Sequence, residues 1–115
     1  MDFKAKHNFE QRSQESKKIR LKYPTRTPIY VSKASTSTLN EIDKHKFLVP
    51  NDLTISQFIY VIRKRITNLK PEDAIYIFID GMLPTQSSLV STIYETMKSP
   101  DGFLYVTYTN ESTFG

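Results

Sequence analysis

The chain of 115 residues has no cysteine, no tryptophan and only three glycines. The missing thiols exclude disulfide frameworks, thiolate zinc sites, iron–sulfur clusters and cysteine nucleophiles. Gly81, Gly102 and Gly115 are too few and too far apart for a G-x-G-x-x-G or G-x-x-x-x-G-K phosphate loop, so no nucleotide cradle of familiar type is encoded. Histidine is nearly as scarce: His7 and His45 stand far apart in polar contexts, read as surface positions and not as metal ligands. No serine occupies a G-x-S-x-G turn, and Glu72-Asp73 and Glu41 with Asp43 read as loop and surface carboxylates. No cofactor is expected, and nothing favours an enzyme. Long apolar runs are absent too: the longest, Ala74 to Ile79, falls far short of the roughly 18 residues a membrane span needs. With no apolar stretch after Met1-Asp2-Phe3-Lys4, a cytosolic or nuclear chain is expected.

What is present fits one domain with a core of ordinary size. The formal net charge of +4 is modest, compatible with an acidic partner or an anionic surface without demanding nucleic acid. Phe9 to Lys22 reads as helical, with a thin apolar stripe and an end at Tyr23-Pro24. Pro28 to Lys33 and Lys46 to Pro50 are strand-like and form a hairpin with a wide Ser/Thr-rich loop. Asn51 to Thr54 open a helix carrying Ile55, Phe58, Ile59, Ile62 and Ile66 at helical spacing. Ala74 to Ile79 reads as a central or near-central strand ending in the Asp80-Gly81 turn, Ser87-Ser88 open a short helix, and Phe103 to Tyr108 is the last strand. After an N-terminal helical segment, the β-β-α-β-α-β order is that of a ubiquitin-like β-grasp, although periodicity alone leaves other α+β folds open.

Longer blocks narrow the choice. Lys17-Lys18-Ile19-Arg20-x-Lys22-Tyr23-Pro24-x-Arg26-x-Pro28 is followed by Asp43-Lys44-x-Lys46-Phe47-Leu48-Val49-Pro50-x-Asp52-Leu53-Thr54, Gln57-Phe58, Ile62 to Ile66, Glu72-Asp73-Ala74, Phe103-Leu104-Tyr105 and Glu111-Ser112-x-Phe114-Gly115. Over nearly its whole length the chain resembles the autophagy-related ubiquitin-like modifiers, the GABARAP and light-chain group. The resemblance implies an α+β β-grasp with a four-stranded mixed sheet and two extra N-terminal helices, at about Phe3 to His7 and Phe9 to Lys22. It divides the chain into a helical extension (1–25), a ubiquitin-like domain (26–109) and a flexible conjugation tail (110–115).

It also implies a modifier, not a catalyst, conjugated through Gly115 to phosphatidylethanolamine on autophagic membranes, with Phe114 read by the tail-handling enzymes. The implied partners are E1-like and E2-like enzymes, a processing and deconjugating cysteine protease, and receptors bearing aromatic-x-x-aliphatic motifs. The expected location is the cytoplasm and the autophagosome or phagophore membrane, held by the lipid. By position, Glu15, Ile19, Pro28, Lys46, Leu48 and Phe103 would line a pocket for the aromatic residue, and Phe47, Val49, Pro50, Leu53, Phe58 and Val61 one for the aliphatic residue. Phe58 is as readily a core residue, since apolar positions at helical spacing usually are; Phe47 and Leu48 are the better pocket positions. Arg26, Lys44, Lys46 and Arg65 would steer acidic ligand residues. Three other readings stay open: an unconjugated peptide-binding adaptor in vesicle trafficking, an anionic-surface or nucleic-acid binder using Ser16 to Lys22 and Arg63 to Arg65, and membrane contact through Phe3 and Phe9 with their neighbouring lysines.

Overall fold

The structure is a computed structural model that describes residues 2–112, for Asp2 the backbone alone. Phe114 and Gly115 lie outside the described residues. The elements run α1 (Asp2–Lys6), α2 (Phe9–Lys22), β1 (Arg26–Lys33), β2 (Lys46–Pro50), α3 (Ile55–Arg63), β3 (Tyr76–Phe78), α4 (Val90–Met97) and β4 (Leu104–Thr109). The strands form one mixed sheet in the order β2-β1-β4-β3, with β1 antiparallel to β2 and parallel to β4.

Local chemistry sets the boundaries. Asn8 and Thr54 each close a capping box, with Gln11 and Gln57 answering from the third helical position, so two helix entries have their orphan N–H groups satisfied by side chains. Asp80 and Gly81 both take positive φ, 51° and 75°, as the two central positions of a tight hairpin turn require. The helix carrying Ile55 ends at Arg63, three residues before the expected Ile66, which instead bridges to Ile42.

On one face of the sheet, Ile29, Val31, Leu104 and Val106 pack with Phe47, Val49, Ile55, Phe58, Ile62, Val90 and Tyr94, the main core. On the other, Phe3, Tyr30 and Phe103 form a second cluster with Ile19 and Tyr105 against it. Phe3 is 4 % exposed, stacked on Tyr30 with ring centroids 4.9 Å apart and edge-on to Phe103 at 5.1 Å. Its ring is therefore committed to pinning α1 on the sheet, which corrects the expectation that Phe3 contacts a membrane.

α2 docks mainly through polar groups. Ser16, its one buried residue, donates to the Asp101 carbonyl at 2.5 Å, and Arg12 Nε lies 2.9 Å from Asp101 Oδ2. The 74–79 run also departs from expectation: β3 has three residues and lies at a sheet edge, not at its centre. Ile77 and Ile79 belong to the main core and Phe78 is also buried, so the apolar run records two covered faces, not two paired edges.

Candidate docking edge and tail root

β2 is an edge strand, and its register fixes which backbone groups look outward. Pro28 stands opposite Leu48, flanked by Thr27↔Val49 and Ile29↔Phe47. Proline has no N–H, so the hydrogen-bonded pairs are the flanking ones, in phase with the Val31 N–H donating to His45 O at 2.8 Å and the Asn51 N–H to Thr25 O at 3.0 Å. The N–H and C=O of Lys46 and Leu48 therefore point away from β1, toward the open side. An extended segment laid alongside would meet its hydrogen-bonding partners there.

Side chains alternate across this strand. Lys46 and Leu48 lie toward α2. The Lys46 ammonium sits 2.9 Å from Glu15 Oε2 and 4.4 Å from the centroid of Phe3, joining β2 to both N-terminal helices. Ile19 and Leu48 are half-buried beside it, while Pro28 and Phe103 are buried. Of the six residues expected around the aromatic pocket, Pro28 and Phe103 are therefore buried, and Glu15, Ile19, Lys46 and Leu48 are accessible.

The opposite side faces α3, and there the expectation needs correction. Phe47 is 5 % exposed and meets Phe58, fully buried, in an edge-to-face contact with centroids 5.7 Å apart. Phe47, Val49 and Phe58 are core residues, because the alternation that turns Leu48 outward turns Phe47 inward against the apolar stripe of α3. The accessible surface of the second set comes from Pro50, exposed, and from Leu53 and Val61, half-buried at the core margin.

The basic side chains also have structural duties. Arg26 Nη1 reaches the outward-pointing Leu48 carbonyl at 3.5 Å, touching the edge itself. Lys44 lies over the Phe47 ring at 5.2 Å, and Arg65 pairs loosely with Asp43 at 3.7 Å. Arg63 donates to the carbonyls of Asp73, Lys70 and Pro71, so it fastens the loop after α3 and is withdrawn from any basic patch formed with Lys64 and Arg65. The two histidines are half-buried, not plain surface residues. His7 lies against Phe3 at 5.3 Å, and His45 stacks on Tyr30 at 5.5 Å with Nδ1 2.8 Å from Val31 O.

A node that composition and spacing did not single out lies at Asp101. Burial alone would raise its pKa, but hydrogen bonds from Tyr105, the Phe103 N–H and Arg12, with the Arg12 charge, together hold the carboxyl below the ordinary carboxylate value. Its partner Tyr105 is pushed up, first by burial and then by the Asp101 carboxylate. Tyr108 is pushed up to about 12 by burial, with Glu41 adding to the effect. These groups are fixed in one protonation state near neutrality and serve to hold elements together. Among the described residues no group of three or more acidic or histidine side chains is arranged to hold a metal ion.

The last strand ends at Thr109 and the chain leaves the body at Asn110, whose side chain bonds to Ser37 and Thr38. Beyond it Glu111 and Ser112 are exposed. Among the described residues no helix is long and apolar enough to cross a membrane.

The fold recurs in known proteins. The structure of Trypanosoma brucei ATG8 matches with a TM-score of 0.90 and 40% identity, covering 100% of this chain and 98% of that one. Plasmodium falciparum Atg8, solved in complex with a peptide of P. falciparum Atg3, matches with a TM-score of 0.88 and 36% identity over 97% of this chain and 98% of that one. Autophagy-related protein 8 of Schizosaccharomyces pombe is 58% identical over 98% of this chain and 93% of its own length, and autophagy-related protein 8e of Arabidopsis thaliana 54% identical over 98% and 92%. The family model described as autophagy protein Atg8, ubiquitin-like, matches residues 11–115, and the chain belongs to that family of ubiquitin-like autophagy proteins.

Proposed function

We propose that this autophagy protein is an acyl donor: a modifier joined through the Gly115 carboxylate to the amine of phosphatidylethanolamine, which then recruits aromatic-x-x-aliphatic segments to its β2 edge. The observation that carries the recruiting half is the outward orientation of the Lys46 and Leu48 backbone on an edge strand. Leu48 and Ile19 on one side, and Leu53 and Val61 on the other, flank that edge with half-buried apolar surface, where alternate ligand side chains settle. The P. falciparum relative was solved with an Atg3 peptide, which supports an E2-like enzyme among the partners of this chain.

The conjugating half rests on family membership and on the chemistry of the last residue. A carboxylate oxygen of Gly115 attacks the α-phosphorus of ATP and expels pyrophosphate. A thiolate of the activating enzyme takes the acyl group and releases AMP, a second thiolate of the conjugating enzyme takes it in turn, and the lipid amine displaces that thiolate to form an amide, losing a proton. No thiol is needed from this chain, in keeping with a sequence that has none. A residue without Cβ threads narrow active sites with least resistance and accepts the φ they impose, and Phe114 gives them an aromatic to grip. A processing and deconjugating cysteine protease acts on the same tail, and the lipid holds the product on the autophagosomal membrane.

The test is a reconstituted mixture of activating and conjugating enzymes, ATP and phosphatidylethanolamine vesicles. Wild-type protein gains the mass of one lipid less water, and Gly115→Ala loses most of that gain. Undiminished lipidation of Gly115→Ala would overturn the requirement for glycine.

A further inference from the structure

We propose that Asn110 is a positioning residue for the C-terminal acyl donor, clamping the root of the tail to the Ser/Thr-rich loop after β1 so that the chain leaves the body at Glu111 in one direction. The proposal rests on the conjugation reading above and adds a device to it.

Three hydrogen bonds make the clamp. Asn110 Nδ2 donates to Thr38 Oγ1 at 2.7 Å, and Asn110 Oδ1 accepts from Ser37 Oγ at 3.3 Å and from the Thr38 N–H at 3.4 Å. The loop it grips is itself tied down. The Ala34 N–H donates to Tyr108 O at 2.9 Å, Tyr108 OH donates to Asn40 O at 2.7 Å, and Ser37 Oγ accepts from the Leu39 N–H at 3.1 Å. Loop and last strand are thus fastened before, at and after the point where Asn110 takes hold. The Glu111 N–H returns to Thr109 Oγ1 at 3.2 Å, and both Glu111 and Ser112 are exposed.

Geometry gives the clamp its consequence. At about 3.5 Å per extended residue the five residues after Asn110 reach roughly 17 Å. An enzyme that grips the body must find the terminal carboxylate within that radius. A root fixed in direction confines the carboxylate to part of this volume and lowers the entropy lost on threading. The benefit lies in capture of the tail and not in the bond-making step, so it belongs to KM rather than kcat.

The experiment compares wild type, Asn110→Ala and Asn110→Asp. An aspartate carboxylate accepts from Ser37 Oγ, the Thr38 N–H and the Thr38 hydroxyl turned to donate, restoring all three bonds. The readouts are steady-state thioester formation with activating enzyme and ATP, the 15N relaxation of the Glu111 and Ser112 amides, and the urea unfolding midpoint. Asn110→Ala is expected to raise KM for this chain about three- to tenfold at unchanged kcat, with faster motion at both amides, an unfolding midpoint near that of wild type, and rescue by aspartate. Unchanged amide relaxation in Asn110→Ala overturns the clamp. Mobile amides with unchanged KM overturn its role. A wild-type chain that is never charged overturns the conjugation reading instead, a result recognised before any variant is compared.

Discussion

Gly102 shows what one residue contributes to the docking of α2. Its φ of +89°, and a Cβ built on its backbone lying 2.3 Å from Ser16 Oγ, place two separate demands on the position. One is conformational, since residues with a Cβ rarely adopt that angle; the other is steric, since the Ser16 hydroxyl fills the space to reach the Asp101 carbonyl. Gly102→Ala is expected to lower stability by about 2 kcal/mol in urea unfolding. Because the demands are separable, the double variant Ser16→Ala/Gly102→Ala should lose less than the sum of the singles, the methyl no longer meeting an oxygen. Additive losses would show that the Ser16 hydroxyl adds nothing to the cost of the methyl.

At the scale of elements, α2 is held to the 98–103 turn by a carboxylate, so its attachment depends on pH. In the folded chain Asp101 holds its carboxyl below the ordinary value, whereas the unfolded chain titrates near pH 4. Between the two values the unfolded state binds more protons, and stability rises with pH across that window. The contribution is complete above about pH 4 and is lost as pH falls through the folded value. Asp101→Asn should therefore be less stable than wild type at pH 7, and its urea midpoint should fall less steeply from pH 4.5 to pH 2.5. Parallel slopes would remove Asp101 from the acid response.

The same element marks the boundary between what sequence chemistry reveals and what packing decides. The limits of α2 were legible because Tyr23-Pro24 breaks a helix locally, and the stripe of α3 because Ile55, Phe58 and Ile62 recur on one face. The alternation of β2 likewise set Leu48 apart from Phe47. Which side of β2 met the core was not legible, since Phe47 and Leu48 are equally apolar and only the position of α3 separates them. The edge position of β3 was hidden for a similar reason: an apolar run reports covered faces. Phe3 was hidden most fully, because the aromatic partners that bury it, Tyr30 and Phe103, lie far away in sequence.

For the molecule as a whole, what matters is that the two proposed functions use different parts of one sheet. The tail leaves from the end of β4, beside the loop that follows β1, while the open backbone of Lys46 and Leu48 lies along the outer side of β2. A chain tethered by its last residue therefore keeps the β2 edge available, and tail variants should leave peptide affinity unchanged. The edge is guarded by charge: Lys46 is paired with Glu15, and Arg26 touches the Leu48 carbonyl. An incoming strand with acidic flanking residues exchanges these contacts for its own, whereas a neutral one must displace them without recompense. For an acidic aromatic-x-x-aliphatic peptide, Leu48→Ala should weaken binding about tenfold through lost apolar contact. Lys46→Ala should weaken it less at high salt than at low, because screening acts on the exposed ammonium and not on the leucine. Calorimetric titration at two salt concentrations separates them: the deficit of the leucine variant should persist in both, and that of the lysine variant should shrink. Wild-type affinity in both variants, with the fold intact, would move the docking site away from β2.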